Sequence, residues 1–324
     1  MKRIIAIVAG GDSKENHVSL RSAATILKHM DRDRYEPYLV EIEEKRWEAH
    51  LPEGVREPID RNDFSFTHNG EKRVFDYAYI TIHGTPGENG ILEGYLRLMR
   101  IPFSTCDVLP SALTFNKFML NKILKSCKID VAESMRIRKG DAVDPDEVIR
   151  KVGMPCFIKP TDGGSSFGTT KVRTREQIIP AMEEAFKENF EIMVESFMKG
   201  IEVTNGYYRT RKREVRLPVT EVVSKTEFFD YEAKYNGMVE EITPARISDE
   251  LRDRIQDITA FIYDFLGCHG VIRNDYIITE GNKINLLEVN TTPGMTDTSF
   301  IPQQIRAAGM SLTEMLTEII EDSF

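Results

Sequence analysis

The sequence predicts an α/β region followed by an α+β region built on antiparallel sheets. Three observations point there. The chain opens as strand, glycine turn and helix, which is the start of an α/β unit. From Cys156 onward the apolar segments shorten and are separated by Gly-rich or polar turns, the pattern of antiparallel strands. Near the end, two apolar strands flank a Gly-Asn turn. At 324 residues the chain is too long for one small core, which suggests two or three subdomains.

The elements follow in order. Residues 4–9 read as a buried strand and Gly10-Gly11 as its turn. Residues 17–30 read as a helix whose Val18, Leu20, Ala24 and Leu27 recur at helical spacing. Residues 38–42 and 77–82 are further strands and 92–100 a helix, completing a small parallel-sheet domain over about the first hundred residues. One helix is expected over 114–127, carrying Phe115, Phe118, Met119, Ile123 and Leu124, and Asp144-Pro145 opens another. Short strands are expected at 156–159, 170–173, 192–195 and 202–208, with a helix over 175–189. Ser248 caps a helix with Asp249 and Glu250 in its first turn, an apolar stripe from Leu251 to Phe265, and Gly267 at its end. Ser311-Leu312-Thr313-Glu314 reads as a capping box for a last helix. No internal repeat or low-complexity segment interrupts this order.

Composition is that of a globular protein, 41% hydrophobic and 29% charged. A net charge of −9 argues against nucleic-acid binding, which needs a basic excess. The one dense basic run, Arg209-Thr210-Arg211-Lys212-Arg213, reads as a solvated loop between strands. The apolar start is too short for a signal peptide and is broken by Gly10-Gly11-Asp12, and no apolar run reaches membrane-spanning length. Cys106, Cys127, Cys156 and Cys268 lack the close spacings of a zinc or redox site. They read as reduced, buried thiols, and the expected location is cytoplasmic.

The strongest chemical signal is the quartet Arg273, Asp275, Glu288 and Asn290. Each pair is spaced i, i+2, so its side chains share a face of a strand. With Gly281-Asn282 as a two-residue hairpin loop, Glu280 pairs with Lys283, Asp275 faces Glu288 and Arg273 faces Asn290. One face then carries two carboxylates, an amide and a guanidinium. Those hard oxygen donors suit Mg²⁺, and the guanidinium suits a phosphoryl group or an oxyanion. A solvated face with cross-strand ion pairs is the other reading of the hairpin alone. The apolar setting of Glu288 and the following Thr291-Thr292-Pro293-Gly294-Met295-Thr296 turn favour the site, because charges on a largely buried strand need partners or a metal.

Three loops accompany it. Phe157-Ile158-Lys159-Pro160 leads through Thr161-Asp162-Gly163-Gly164-Ser165-Ser166-Phe167-Gly168 into another strand, a flap able to cover a triphosphate with backbone N–H groups while Lys159 offers a point charge. It is not a Walker loop, since Thr169 stands where that motif has Lys. His83-Gly84-Thr85-Pro86-Gly87-Glu88-Asn89-Gly90 follows a strand, at the carboxyl end where α/β sheets bind ligands, or is a plain tight connection with His83 as a loop histidine. Glu15 stands at a helix start, either as a ligand-facing carboxylate or as the Glu of a capping box with Asp12. Glu195 and Glu202 flank a segment able to meet an adenine edge and ribose hydroxyls, although each glutamate taken singly reads as a surface residue. Residues 228–237, aromatic and charged, read as a functional loop or a packed Ω-loop.

In this order the segments resemble the D-alanyl-D-alanine ligases of the ATP-grasp superfamily over nearly the whole chain. The carrying motifs are the run from Gly10 to Leu20, the HGTPGENG segment from His83, Ile158-Lys159-Pro160 with Gly164-Ser165-Ser166-Phe167-Gly168, Tyr231-Glu232-Ala233-Lys234-Tyr235, and the run from Leu287 to Thr296. The resemblance implies an N-terminal parallel-sheet domain (1–108), a central subdomain with the phosphate flap (109–195) and a C-terminal subdomain (196–324), the last two enclosing ATP. It places Lys117 and Lys159 on the phosphates, Glu195, Phe197, Met198 and Phe228 near the adenine, and Glu202 on the ribose. Asp275, Glu288 and Asn290 would hold two Mg²⁺ ions, with Mn²⁺ as a substitute. Glu15 would bind the first D-alanine, linked through Ser165 to Tyr235 with His83 nearby; Lys234, Ser299 and the Gly294 backbone would anchor the second. Arg273 would steady the transferred phosphoryl group. The implied reaction forms an acyl phosphate that the second amine resolves, in a homodimer.

Two alternatives accompany this reading. A ligase using D-lactate or another D-acceptor is disfavoured by Tyr235, which such relatives usually lack. A regulatory protein without catalysis is disfavoured by the complete Arg273, Asp275, Glu288 and Asn290 set. Asn274 replaces a residue that is often apolar and is expected on the opposite face of its strand, and the basic segment 207–216 is expected outside the site.

Overall fold

The structure, a computed structural model, describes residues 2–164, 167–224 and 239–324. Its first sheet has the order β4-β3-β2-β1-β7, from β1 (Arg3–Gly10), β2 (Tyr35–Glu43), β3 (Arg46–His50), β4 (Arg56–Pro58) and β7 (Tyr77–Ile80). β1 is parallel to both β2 and β7. Ile5 to Ala9 are fully buried, because both faces of this sheet are covered. On one side Ile5, Ile7, Tyr77 and Tyr79 pack against α1 (Asn16–His29) and the last helix of the chain; on the other Ala6, Val8 and Ile80 pack with Leu92 and Leu96 of α2 (Ile91–Leu98). Gly10 ends β1 at φ 101°, where a Cβ would lie 2.5 Å from the Ile42 carbonyl oxygen, so only glycine lets the first loop turn this closely.

Two features of this domain differ from the sequence expectation. The parallel strands are extended by antiparallel β3 and β4, and a separate hairpin joins β5 (Ser65–His68) to β6 (Glu71–Val74). Its turn residues Asn69 and Gly70 have φ of 50° and 78°, as a two-residue loop requires. Those short strands are too polar to stand out by apolar periodicity.

The expected helix over 114–127 is two helices, α3 (Val108–Phe115) and α4 (Lys117–Ser126). Asn116 breaks them with an extended ψ of 97° and caps α4, its side-chain oxygen accepting from the Met119 N–H at 2.9 Å. The second sheet, order β10-β9-β11-β8, is antiparallel and holds β8 (Ser134–Arg138), β9 (Cys156–Pro160), β10 (Thr170–Val172) and β11 (Glu191–Ser196). It packs on α5 (Pro145–Val152) and α6 (Ile178–Ala185). α6 is shorter than the expected 175–189, since residues 175–177 form a 3₁₀ turn.

The third sheet runs β15-β14-β12-β16-β17 with β13 beside β12. Its strands are β12 (Ile201–Arg209), β13 (Glu214–Arg216), β14 (Thr220–Ser224), β15 (Val239–Ile242), β16 (Val271–Thr279) and β17 (Lys283–Asn290). α7 (Asp249–Leu266) covers one face; Ser248 caps it by accepting from the Leu251 N–H, and Gly267 closes it in the left-handed conformation. α8 (Phe300–Ala307) and α9 (Leu312–Glu321) return the chain to the first sheet, where Met315, Leu316 and Ile319 join Ile5 and Ile26. Ser311 accepts from the Glu314 N–H at 3.1 Å, one half of the expected capping box.

The basic run lies in the β12–β13 hairpin, and its three arginines are paired. Arg209 binds Asp264, Arg211 binds Asp322, and Arg213 binds Glu314 and Glu318. Among the described residues no helix is long and apolar enough to cross a membrane. All four cysteines are free thiols; Cys127 is only partly buried.

Candidate active site

The β16–β17 ribbon carries the quartet on one face. Asp275 pairs with Glu288 and Arg273 with Asn290. The route to that register corrects the sequence reading. The turn contains Glu280, Gly281 and Asn282, so Thr279 rather than Glu280 pairs with Lys283. The extra turn residue shifts the register by one, and a bulge at Leu287, between the Tyr276–Leu286 and Asp275–Glu288 pairs, shifts it back. Asn274 faces the other way, fully buried, and its Nδ2 donates to the Tyr276 hydroxyl at 3.1 Å.

Arg273 grips Asp275 through two bonds, Nε to Oδ1 at 2.9 Å and a terminal nitrogen to Oδ2 at 2.8 Å. Thr204 of β12 donates to Asp275 Oδ1 at 2.6 Å. Glu288 lies 3.6 Å from Arg273 and 3.6 Å from Lys117, the first residue of α4. Lys117 also donates to the Gly163 carbonyl at 2.7 Å, tying α4 to the flap. Burial alone would weaken the charged form of Arg273, but Asp275 and Glu288 outweigh it, so the guanidinium is held above its ordinary range.

Lys117, Arg273, Glu288 and Asn290 open into a cavity of about 660 Å³ at the meeting of the three sheets, with Asp275 behind Arg273 and not among its lining residues. Eight expected site residues line it: Glu15, His83, Lys117, Arg273, Glu288, Asn290, Gly294 and Ser299. Glu15 precedes α1, and Gly164 approaches so closely that a Cβ there would meet the Glu15 carboxylate at 2.2 Å. The capping-box reading of Glu15 fails, because Asp12 accepts from the Glu44 N–H while Ser13 Oγ accepts from the Glu15 N–H. His83 is buried, its Nε2 has no hydrogen-bond partner among the described residues, and burial lowers its pKa, favouring the neutral ring. Ser299 shares a 2.8 Å hydrogen bond with Thr296, and a Cβ on Gly294 would lie 2.9 Å from its hydroxyl.

Lys159, Glu195, Phe197, Met198 and Glu202 are not among the residues lining this cavity. Lys159 and Glu195 form a largely buried ion pair at 2.5 Å, and Phe197 packs on Phe157 with Lys171 over its ring. Glu202 lies on β12 two residues before Thr204, on the face that carries Asp275. Ser165, Phe228, Lys234 and Tyr235 lie outside the described residues.

Four lining residues with charged or amide side chains were not assigned by the sequence reading: Arg21, Glu88, Glu241 and Gln303. Glu88 is buried and accepts from the Gly84 N–H at 2.6 Å; burial, reinforced by Glu15, pushes its pKa up to about 7. Its motif was visible, but its burial was not. Burial likewise raises the Glu241 pKa against the opposing effects of Gln303 and Arg273. Glu241 and Gln303 are 62 residues apart and meet only through the packing of α8 on the sheet.

Among the described residues no group of three or more His, Cys, Asp or Glu side chains could hold a metal ion by itself. Two carboxylates and an amide remain on the ribbon, and a hard cation bound there would need further oxygens from phosphate or water. That incomplete donor set fits Mg²⁺ presented together with a nucleotide.

Comparison with known proteins agrees with this geometry. The family described as D-ala D-ala ligase N-terminus matches residues 4–106, and that described as D-ala D-ala ligase C-terminus matches 123–321. The chain is 62% identical over its full length, and over the relative's full length, to a D-alanine–D-alanine ligase of Phocaeicola vulgatus. It is 60% identical, again with complete coverage of both chains, to that of Bacteroides fragilis. Among solved structures, the VanG D-Ala:D-Ser ligase of Enterococcus faecalis superposes with a TM-score of 0.89 at 30% identity, covering 100% of both chains. D-alanyl-alanine synthetase A of Vibrio cholerae does so with a TM-score of 0.88 at 26% identity, covering 99% of this chain and 98% of that one. The ribbon quartet, the cavity beside it and the full-length matches together show that the chain belongs to the D-alanine–D-alanine ligase family, with the ATP-grasp fold.

Proposed function

We propose that the protein joins two D-alanines at the expense of ATP, forming D-alanyl-D-alanine for peptidoglycan precursors. The observation that carries this is that the cluster of Arg273, Lys117 and Glu288 lines a single cavity together with Glu15 and His83. A phosphoryl group and an amino acid can therefore be held side by side.

The first D-alanine sits with its ammonium at Glu15, and its carboxylate attacks the γ-phosphate, breaking the bond to ADP. The amine of the second then attacks the acyl carbon, and phosphate leaves with the C–O electron pair. Lys117 and Arg273 hold the phosphoryl oxygens, and their fixed placement lowers the barrier because nothing must reorganise as charge moves. Asp275, Glu288 and Asn290 would hold two Mg²⁺ ions, or Mn²⁺, which neutralise phosphate charge when bound. Lys159, Glu195, Phe197, Met198, Glu202 and Phe228 form the nucleotide subsite. Ser165 and Tyr235 link the flap to Glu15, while Lys234, Ser299 and the Gly294 backbone anchor the acceptor. The flap closes over the acyl phosphate to exclude water.

The protein works in the cytoplasm as a homodimer through the first domain. Ile91 and Leu98, one stripe of α2, and the adjoining Leu109 are 61%, 77% and 75% exposed, an apolar surface that a second copy would cover. The test of the function is product analysis with ATP, Mg²⁺ and D-amino acids offered singly and in pairs. D-alanyl-D-alanine, ADP and phosphate in equal amounts are expected; a preference for D-lactate or D-serine as acceptor would move the chain to a different acceptor class.

A further inference from the structure

Four carboxylates line the cavity among the described residues: Glu15, Glu88, Glu241 and Glu288. Three have evident occupations. Glu288 faces Lys117 and Arg273. Glu88 is bound to the Gly84 N–H. Glu15 stands at the start of α1, near enough to His83 to influence its charge. Glu241 remains, on β15 at the edge of the third sheet.

The strand register brings it to the cavity. Glu241 pairs with Val222, Val222 with Glu202, and Glu202 with Ile277, so its side chain shares the face that carries Asp275. α8 lies over that face, with Gln304 bonded to Gly206 and Thr220 of the sheet beneath. From the same helix Gln303 Nε2 donates one proton to Glu241 Oε2 and the other to the Thr298 carbonyl at 2.7 Å. A neutral amide fixed at both protons therefore orients the carboxylate without neutralising it. Glu241 has no ion pair, and its Oε1 no hydrogen bond, among the described residues; Arg273 acts on it only at a distance and is itself bound to Asp275. Holding a carboxylate half-buried without an ion pair is costly, and an arriving cation would offset that cost.

Each D-alanine is a zwitterion that brings one ammonium. The first is matched by Glu15; the second has no counter-charge in the assignment above. We propose that Glu241, oriented by Gln303, receives the ammonium of the acceptor amino acid and selects an amine acceptor over a hydroxy acid. This rests on the ligase reading. A charge-assisted bond to Oε1 leaves the Gln303 bond to Oε2 intact, whereas a hydroxy acid brings no cation and leaves the half-buried carboxylate without an ion pair.

The test compares wild type with Glu241→Gln, which keeps the shape and the bond from Gln303 but not the charge. Initial rates are measured with ATP and Mg²⁺ over a range of D-alanine, and with D-lactate competing as acceptor. The acceptor KM for D-alanine is expected to rise roughly tenfold to a hundredfold, with the D-lactate to D-alanine product ratio rising by a similar factor. The donor KM, and kcat at saturating acceptor, stay within about twofold. Glu241→Asp, which keeps the charge, restores most of the product ratio. An unchanged acceptor KM, equal rises in both KM values, or a fall in kcat alone would overturn the assignment. Should Glu241→Gln not fold, Gln303→Met must raise the acceptor KM, and an unchanged value there also overturns it. Wild type that makes no dipeptide defeats the ligase reading itself, whereas wild type that makes it beside an unaltered Glu241→Gln defeats only the role of Glu241.

Discussion

Asp275 and Glu288 sit in different company although they face each other. Asp275 is held by Arg273 and Thr204, while Glu288 looks out between Lys117 and Arg273 with its side chain 33% exposed. Replacing either carboxylate by its amide keeps the shape of the ribbon and removes a negative charge from the expected metal position. Asp275→Asn and Glu288→Gln are each expected to lower turnover by about a hundredfold or more at saturating Mg²⁺, with unfolding midpoints close to wild type. Near wild-type phosphate release from either purified variant contradicts the metal assignment. Glu93 poses a different case, since it is fully buried and neither carboxylate oxygen has a partner among the described residues. Burial raises its pKa from 4.5 to about 8, so its contribution to stability is whole below about 4.5 and is lost as pH climbs through about 8. Glu93→Gln, which cannot ionise, should therefore gain on wild type between pH 5 and pH 9 by on the order of 3 kcal/mol in urea unfolding. A stability difference independent of pH would show that the carboxyl titrates normally.

At the level of elements, the active-site ribbon was legible because side chains two apart on a strand must share a face. The path was not, because a turn and a bulge each add one residue and their effects on register cancel. The break between α3 and α4 was hidden for another reason: residues 114–127 keep helical apolar spacing across it, and Asn116 betrays the cap only through its bonds. Its Oδ1 accepts from Met119 and its Nδ2 donates to Asp162 at 2.8 Å, which fixes where Lys117 emerges. Asn116→Ala should cost about 1 to 2 kcal/mol of stability and weaken ATP binding through a misplaced Lys117. Calorimetric titration with a non-hydrolysable ATP analogue checks the second effect, and unchanged affinity would free Lys117 from dependence on the cap. Glu241 and Gln303 lay beyond sequence reasoning altogether, since only sheet register and helix docking make them neighbours.

At the scale of the whole molecule, the chain closes on itself. α9 returns to pack beside α1, Arg213 of the β12–β13 hairpin is bound to its Glu314 and Glu318, and Arg211 to Asp322 just past its end. The three sheets therefore surround one cavity, with the flap from β9 contributing Gly163 and Gly164 to its wall. If ATP and Mg²⁺ draw that flap shut, limited proteolysis within residues 163–168 should slow on their addition; cleavage indifferent to nucleotide would speak against a lid. The central claim is that one cavity activates a D-alanine carboxylate by phosphorylation and then passes it to an amine. D-alanine labelled with ¹⁸O in its carboxylate, turned over with ATP and Mg²⁺, measures this most directly by mass spectrometry of the released phosphate. An acyl phosphate route predicts one ¹⁸O in each phosphate for every dipeptide formed, whereas unlabelled phosphate accompanying dipeptide would contradict it.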